Sequence, residues 1–124
     1  MRLVRVLLVE DEGLIRMMTA EALIEEGFEV IEAWNGDAAA ELLDGSGCFD
    51  IVLTDVRMPG RLDGIDLALH ARRLCPLLPL LVVSGYADNL AERLAVFKPP
   101  VCFLPKPYDL RKVSTVVRRL TETA

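Results

Sequence analysis

The feature that most constrains the fold is a fivefold alternation of short apolar runs with stretches of helical periodicity. Such a chain builds a parallel sheet, because each helix is the crossover that returns the chain to begin the next strand. Most of the runs are apolar throughout, which is typical of a sheet covered on both faces. We predict one α/β domain spanning residues 1–124, with strands at residues 4–9, 28–33, 51–55, 80–83 and 101–104.

The intervening helices are predicted from apolar spacing and from their capping residues. Gly27 lies where the C-cap of the first helix belongs, and Asp63 with Gly64 opens the third. The predicted helices cover residues 14–26, 38–43, 63–74, 90–97 and 109–120.

Composition excludes several kinds of partner. The formal net charge is −5, which argues against DNA or an anionic membrane surface as the main partner. Cys48, Cys75 and Cys102 lie far apart without a CxxC spacing, which is neither a zinc pattern nor a disulfide framework and fits the reducing cytoplasm. No apolar run approaches the ~20 residues of a membrane span. We therefore expect a cytoplasmic protein that binds neither nucleic acid nor membrane.

Charged or hydroxyl residues stand at the ends of four of the five predicted strands. Glu10 and Asp11 follow the first, Asp55 ends the third, Ser84 follows the fourth, and Lys106 stands just past the fifth. Parallel strands bring their C-terminal ends to one edge of the sheet, where such folds bind ligands. Asp55 alone is more simply explained as a turn or helix cap, and it is the whole set that favours a site.

This set of side chains suits phosphoryl chemistry. Three neighbouring carboxylates repel one another unless a cation joins them, and hard oxygen ligands without His or Cys suit Mg²⁺. Asp55 is a candidate nucleophile, since an aspartate carboxylate can form an acyl phosphate. Lys106 would pair with a phosphate oxygen or with Asp55, and Ser84 would hydrogen-bond to the phosphoryl oxygens.

The sequence resembles the receiver domain of two-component response regulators, the CheY-like family, over essentially its whole length. Four segments carry the resemblance, and they occur in the family's order: the acidic cluster at residues 9–12, residues 55–59 with Asp63 and Gly64, Ser84 with Gly85, and residues 103–108 around Lys106. The resemblance implies a flavodoxin-like, doubly wound sheet of five parallel strands in the order 2-1-3-4-5, with five helices.

The same resemblance implies roles for single residues. Asp55 would accept a phosphoryl group from a histidine kinase or a histidine phosphotransfer protein in a phosphorelay. Mg²⁺ would be bound by Asp11, Asp55 and the backbone carbonyl of Arg57, with Glu10 acting through water. The domain would then be a phosphorylation-activated signalling switch that catalyses only its own phosphoryl transfer and autodephosphorylation. A downstream protein would bind the face formed by helix 4, strand 5 and helix 5.

Further roles come from the family alone. Ser84 and Phe103 would form the switch pair, although Phe103 can also be read as an ordinary core residue. Arg57 and Tyr86 would tune dephosphorylation, with solvated loop residues as the alternative. The Lys106–Pro107 peptide bond is expected to be cis.

The sequence departs from the family pattern in three informative places. Glu10 stands where Asp is commoner, and residues 60–62 make the loop before Asp63 one residue longer than usual. The longer loop puts the geometry of the Mg²⁺ ligands in question. Lys98-Pro99-Pro100 replaces a glycine-containing turn and is expected to shorten the fourth helix.

For several other residues we expect ordinary structural roles. Trp34 is expected to be a packed turn residue, and Arg72 with Arg73 to form a solvated helix face. Met17 and Met18 are expected to be ordinary packing residues, with a docking surface for a partner helix as the alternative.

Two other kinds of function compete with that of a phosphorylated switch. One is a receiver-shaped binding module that never uses phosphate, which the joint presence of Asp11, Asp55, Ser84 and Lys106 disfavours. Another is a flavin-binding domain or a phosphatase on the same kind of sheet. The acidic residues after the first strand would repel a flavin phosphate, and the chain has no length for a substrate cap. Met1 lies directly before the first strand, so we expect a stand-alone receiver.

Overall fold

The computed structural model describes residues 3–45, 48–85 and 90–122. Five parallel strands form one sheet in the order β2-β1-β3-β4-β5. The strands are β1 (Arg5–Val9), β2 (Glu29–Ala33), β3 (Ile51–Asp55), β4 (Leu80–Ser84) and β5 (Cys102–Pro105). The helices are α1 (Gly13–Glu25), α2 (Gly36–Asp44), α3 (Gly64–Leu74), α4 (Leu90–Leu94) and α5 (Leu110–Thr121). The predicted fold class, element order and strand order are confirmed.

Alternation along the strands divides the core into two layers, because successive side chains point to opposite faces of a sheet. Leu7 and Val9 of β1 belong to the cluster that includes apolar side chains of α2, α3 and α4. Val6 and Leu8 belong to the cluster that includes α1 and α5. All five residues of β3 are buried, as expected for a central strand covered on both faces.

Helix ends are fixed by side chains that the sequence places at the caps. Asn35 accepts a hydrogen bond from the Ala38 backbone N–H at 2.7 Å and begins α2. Asp63 accepts from the N–H groups of Ile65 and Asp66, and the Asp66 carboxylate accepts from the Asp63 N–H, which completes a capping box at α3. Both caps lie at the same edge of the sheet as the C-terminal ends of the strands.

Some local predictions differ from the structure. The fourth helix ends at Leu94 rather than reaching Phe97, whose buried ring follows it. Trp34 was expected to pack in a turn, but 63% of its surface is exposed, so that prediction is wrong.

Lys106–Pro107 is a cis peptide bond, and so is Lys98–Pro99. None of the helices in the described parts of the chain is long and apolar enough to cross a lipid bilayer.

Truncation of Leu67 tests the α3 face of the core. Leu67 has no exposed surface, so Leu67→Ala should lower the free energy of unfolding by about 2–5 kcal/mol. Leu77→Ala is the matched control, because 75% of Leu77 is exposed and its truncation should change stability by less than about 0.5 kcal/mol. Urea unfolding followed by circular dichroism measures both, and equal losses would contradict this description of the core.

Candidate functional site

The strand register brings the predicted site residues to one rim of the sheet. Val9 lies opposite Thr54, so the next residues along the two strands, Glu10 and Asp55, are neighbours. Asp55 lies opposite Val83, and Ser84 opposite Pro105, which precedes Lys106. The backbone N–H of Lys106 also donates to the Ser84 carbonyl at 3.0 Å. Lys106 therefore meets Glu10, from which it is 96 residues distant in sequence, and Asp55, from which it is 51 residues distant.

Three carboxylates form a cluster at this rim. Single oxygens of Glu10, Asp11 and Asp55 all lie within 4.8 Å of one another. Glu10 is 2% exposed and Asp55 is 7% exposed, whereas Asp11 faces solvent. Carboxylate oxygens with one open side fit Mg²⁺, which keeps several waters and takes few ligands from the protein. The donor set therefore fits the expected cation.

Lys106 joins the two buried carboxylates. Its Nζ donates to Asp55 Oδ2 at 2.7 Å and to Glu10 Oε1 at 3.1 Å. Burial lowers the pKa of Lys106, but hydrogen bonds and charge from Asp55 and Glu10 outweigh burial, so the net pKa is raised. The ammonium therefore stays charged at neutral pH and offsets much of the repulsion between its partners.

Hydrogen bonds hold both the side chain and the backbone of Glu10. Its carboxylate Oε2 accepts from the Glu12 N–H at 3.1 Å, and its backbone carbonyl accepts from Arg16 Nη1 at 2.8 Å. Burial and the charge of Asp55 raise the pKa of Glu10, while the hydrogen bonds from Glu12 and Lys106 oppose that rise. The longer Glu side chain reaches Lys106 directly, so it has a contact besides the water-mediated one predicted.

The start of α3 packs directly against the backbone of Asp55. A Cβ on Gly64 would overlap the Asp55 carbonyl oxygen and lie 2.9 Å from the Val56 Cα. The Gly64 N–H donates to the Val56 carbonyl at 2.8 Å, and Thr54 Oγ1 donates to the Asp55 carbonyl at 2.8 Å. Only glycine fits at position 64, which gives a physical reason for the Asp-Gly pair.

A family model described as "Response regulator receiver domain" matches residues 6–118. The chain belongs to the response regulator receiver domain family. Receiver domains of two-component response regulators are signalling switches rather than enzymes that release a product.

Curated relatives share this domain within longer proteins. The chain is 39% identical over 118 residues to the sensor kinase CckA of Brucella abortus, covering 94% of this chain and 12% of that protein. It is 42% identical over 109 residues to the transcriptional regulatory protein PdtaR of Mycobacterium tuberculosis, covering 86% of this chain and 51% of that protein. The chain thus spans about half of one relative and a small part of the other.

Solved receiver structures have the same fold. A response regulator receiver protein from Sinorhizobium medicae superposes with a TM-score of 0.87 at 30% identity, over 97% of this chain and 95% of that one. TrrA from Thermotoga maritima, solved in complex with Mg²⁺-BeF, gives a TM-score of 0.82 at 27% identity, over 95% and 99% of the two chains.

The remaining predicted site residues are Ser84, Arg57, Phe103 and Tyr86. Ser84 is buried at the end of β4. Arg57 is an exposed residue of the loop after Asp55, and its carbonyl as a metal ligand stays a prediction. Phe103 lies on β5 with 37% of its surface exposed, so it is not an ordinary core residue. Tyr86 lies outside the described residues.

A shallow apolar groove of about 380 Å³ adjoins the cluster between α1 and the loop after β5. It is lined by Ile15, Met18, Thr19, Lys106, Pro107, Tyr108 and Leu110. Met17 and Met18 are about half exposed, so the prediction that they are ordinary packing residues is wrong. Burial raises the pKa of Tyr108, whose hydroxyl lies 3.3 Å from Thr19 Oγ1.

The contacts of two arginines were not predicted from the sequence. Arg93 of α4 pairs with both oxygens of Asp63, at 2.8 and 3.2 Å, and so links α4 to the start of α3. Arg72 was expected to be solvated, but it donates to the backbone carbonyls of Leu78 and Pro99. No local sequence pattern identifies either contact, because each depends on the path of a distant loop.

Replacement of Arg93 tests the link between α4 and α3. Partial burial raises the pKa of Asp63, but hydrogen bonds from Arg93 and from the Asp66 N–H outweigh it, so the pKa lies below the usual 3.8. The stability that a lowered carboxyl pKa contributes is present above pH 3.8 and is lost as the pH falls through the lowered value. Arg93→Met should therefore cost about 0.5–1 kcal/mol at pH 6, and the loss should shrink below pH 3.8.

Urea unfolding of wild type and variant across this pH range provides the measurement. Arg73→Met is the control, because Arg73 is an exposed arginine of α3 and its removal should leave the acid dependence unchanged. A loss for Arg93→Met that is equal at all pH values would contradict the assigned pKa.

Proposed function

We propose that this receiver domain is a phosphorylation-activated switch of a two-component or phosphorelay system, with Asp55 as the phosphoacceptor. The observation that carries the proposal is the contact of Lys106 with both Asp55 and Glu10, beside the exposed Asp11. A lone buried carboxylate at a strand end would not need this arrangement. A buried nucleophile beside a fixed cation and a cluster of cation ligands fits phosphoryl transfer.

The donor in this proposal is a phosphohistidine on a histidine kinase or a histidine phosphotransfer protein. An Asp55 carboxylate oxygen attacks phosphorus, and the P–N bond breaks with its electron pair remaining on the imidazole nitrogen. Asp55 becomes an acyl phosphate, so its negative charge moves onto the phosphoryl oxygens. Lys106, already 2.7 Å from Asp55 Oδ2, is placed to pair with one of those oxygens. Ser84 is proposed to hydrogen-bond to another.

The proposed cofactor is Mg²⁺, held by Asp11, Asp55 and the Arg57 carbonyl, with Glu10 acting through water. When bound, Mg²⁺ supplies positive charge against the phosphoryl oxygens. The close approach of Glu10, Asp11 and Asp55 supports this assignment. The same site is proposed to hydrolyse its own acyl phosphate, with Arg57 and Tyr86 tuning access of water.

Two surfaces are proposed for partners. The apolar groove beside Lys106 and the half-exposed Met17 and Met18 suit an amphipathic helix of the phosphodonor protein. The downstream target is proposed to bind the face of α4, β5 and α5. Phe103 lies on β5 with an exposed ring, and the ring is proposed to change position when Ser84 moves toward the phosphoryl group.

The exposed thiols of Cys48 and Cys75 fit a cytoplasmic location.

Intact-mass analysis tests the acceptor. The protein is incubated with Mg²⁺ and acetyl phosphate, and we expect one base-labile phosphoryl group on the wild type and none on Asp55→Asn. Circular dichroism confirms that the variant is folded. Failure of folded, Mg²⁺-replete wild type to take phosphate from acetyl phosphate or from a histidine kinase would favour the phosphate-independent binding module.

Replacement of Lys106 tests the charge that stabilises the transferred group. Lys106→Met should slow labelling of Asp55 by about 100-fold, the order expected when one preorganised electrostatic contact is lost. Lys98→Met is the matched control, since Lys98 is exposed in the loop before β5. Samples quenched at successive times and analysed by mass spectrometry give the labelling rates. Equal rates in the two variants would show that Lys106 has no role in the phosphoryl transfer.

A further inference from the structure

The loop from Val56 to Gly64 contains Arg57, whose backbone carbonyl is the third protein ligand in the proposed metal site. Its two ends are closed by the 2.8 Å hydrogen bond from the Gly64 N–H to the Val56 carbonyl. Its far side contains residues 60–62, the stretch that makes it one residue longer than the family pattern. That far side lies against the N-terminus of α2.

Asp37, in the first turn of α2, makes a polar contact with this loop. Its Oδ2 accepts a hydrogen bond from the Arg61 backbone N–H at 3.0 Å. Gly60, just before, has a φ of +102°, a left-handed conformation that favours glycine. A Cβ on Gly60 would lie 2.7 Å from the same Asp37 oxygen. The loop backbone therefore lies directly on the Asp37 carboxylate.

Gly36 makes the corresponding steric contact. A Cβ at position 36 would lie 2.5 Å from the Leu62 carbonyl oxygen and 2.9 Å from the Leu62 Cβ. Real Cβ atoms essentially never approach that closely, so a side chain there would push residue 62 away. The missing side chain at Gly36 leaves room for Leu62, and the Asp37 carboxylate binds the backbone N–H of Arg61. Two consecutive residues of α2 therefore contact two consecutive residues of the loop.

The helix end that receives the loop is itself fixed. Asn35 caps α2 through its bond to the Ala38 N–H, and Ala39 is fully buried in the core. Val9 pairs with Ala33 at the end of β2, so the residues before α2 are held by the sheet. A loop docked here inherits a fixed position relative to β1 and Asp11.

We propose that Gly36 and Asp37 are positioning residues that dock the lengthened loop and thereby set where the Arg57 carbonyl stands relative to Asp11 and Asp55. This inference rests on the proposed Mg²⁺-dependent phosphorylation of Asp55. Neither residue touches the reacting atoms. Their effect is on the affinity for Mg²⁺, through the third protein ligand.

Asp37→Ala is the principal test, with Asp44→Ala as its matched control. Asp44 is at the other end of α2, where it contacts His70 rather than the loop, and its loss changes the net charge equally. Asp37→Ala should speed hydrogen exchange of the Arg61 amide and raise the Mg²⁺ dissociation constant about five- to tenfold, the scale of the net contribution of one ordinary hydrogen bond. Asp44→Ala should change neither.

Three further variants separate positioning of the loop from the effect of charge and from a general loss of α2 stability. Asp37→Asn keeps an oxygen acceptor without the charge and should recover most of the Mg²⁺ affinity. Gly36→Ala should weaken Mg²⁺ binding, whereas Gly45→Ala should not, because a Cβ at Gly45 meets nothing closer than 3.4 Å. At saturating Mg²⁺, Asp37→Ala should label with acetyl phosphate at nearly the wild-type rate, as expected for a change in affinity alone.

The outcomes are distinguishable. Wild type that neither binds Mg²⁺ nor takes phosphate would overturn the proposed function and this inference with it. Wild type that binds Mg²⁺, with Asp37→Ala indistinguishable from Asp44→Ala in amide exchange and affinity, would overturn only the inference. Asp37→Asn as impaired as Asp37→Ala would also overturn it, because charge rather than docking would then explain the loss.

Discussion

The rest of the site depends on one ammonium group between two buried carboxylates. Glu10 and Asp55 are almost completely removed from water, and two such charges side by side are costly unless they are paired. Lys106 supplies the pairing through contacts of 3.1 and 2.7 Å. Both pKa values are raised by this arrangement: burial raises the pKa of Glu10, and the two carboxylates outweigh burial and raise the pKa of Lys106.

The parallel sheet makes this arrangement possible. Central strands buried on both faces must be apolar along their length, so polar side chains are confined to the strand ends. Because all five strands are parallel, those ends share one rim. The loop after Asp55 is then fixed on both sides, by Gly64 packed on the Asp55 backbone and by Asp37 at the start of α2. The strand ends and these contacts thus position Glu10, Asp55 and Lys106 relative to one another.

Much of this architecture could be predicted from the sequence because it depends on local patterns. Apolar runs and helical periodicity gave five strands and five helices in the right order, and the acids at the strand ends gave the carboxylate cluster. The contacts of Arg93 with Asp63 and of Asp37 with Arg61 could not be predicted in this way. Each joins residues more than 20 positions apart through an exact loop path, which neither periodicity nor capping rules determine.

Side-chain exposure was the other quantity that sequence reasoning misjudged. Trp34 and Met18 are large apolar residues whose burial depends on what else packs nearby, and both are substantially exposed. Phe103 is exposed although its strand lies in the sheet, because β5 is an edge strand and its outward face is only partly covered.

We propose that these residues form one phosphoryl and Mg²⁺ site, and a crystal structure of the protein with Mg²⁺ and beryllium fluoride is the decisive experiment. We expect fluoroberyllate on an Asp55 oxygen, with Lys106 Nζ moved from the carboxylate to a fluorine. Mg²⁺ should be bound by Asp11, Asp55 and the Arg57 carbonyl. An Asp55 carboxylate that stays paired with Lys106 and carries no fluoroberyllate, or Mg²⁺ bound elsewhere, would contradict it.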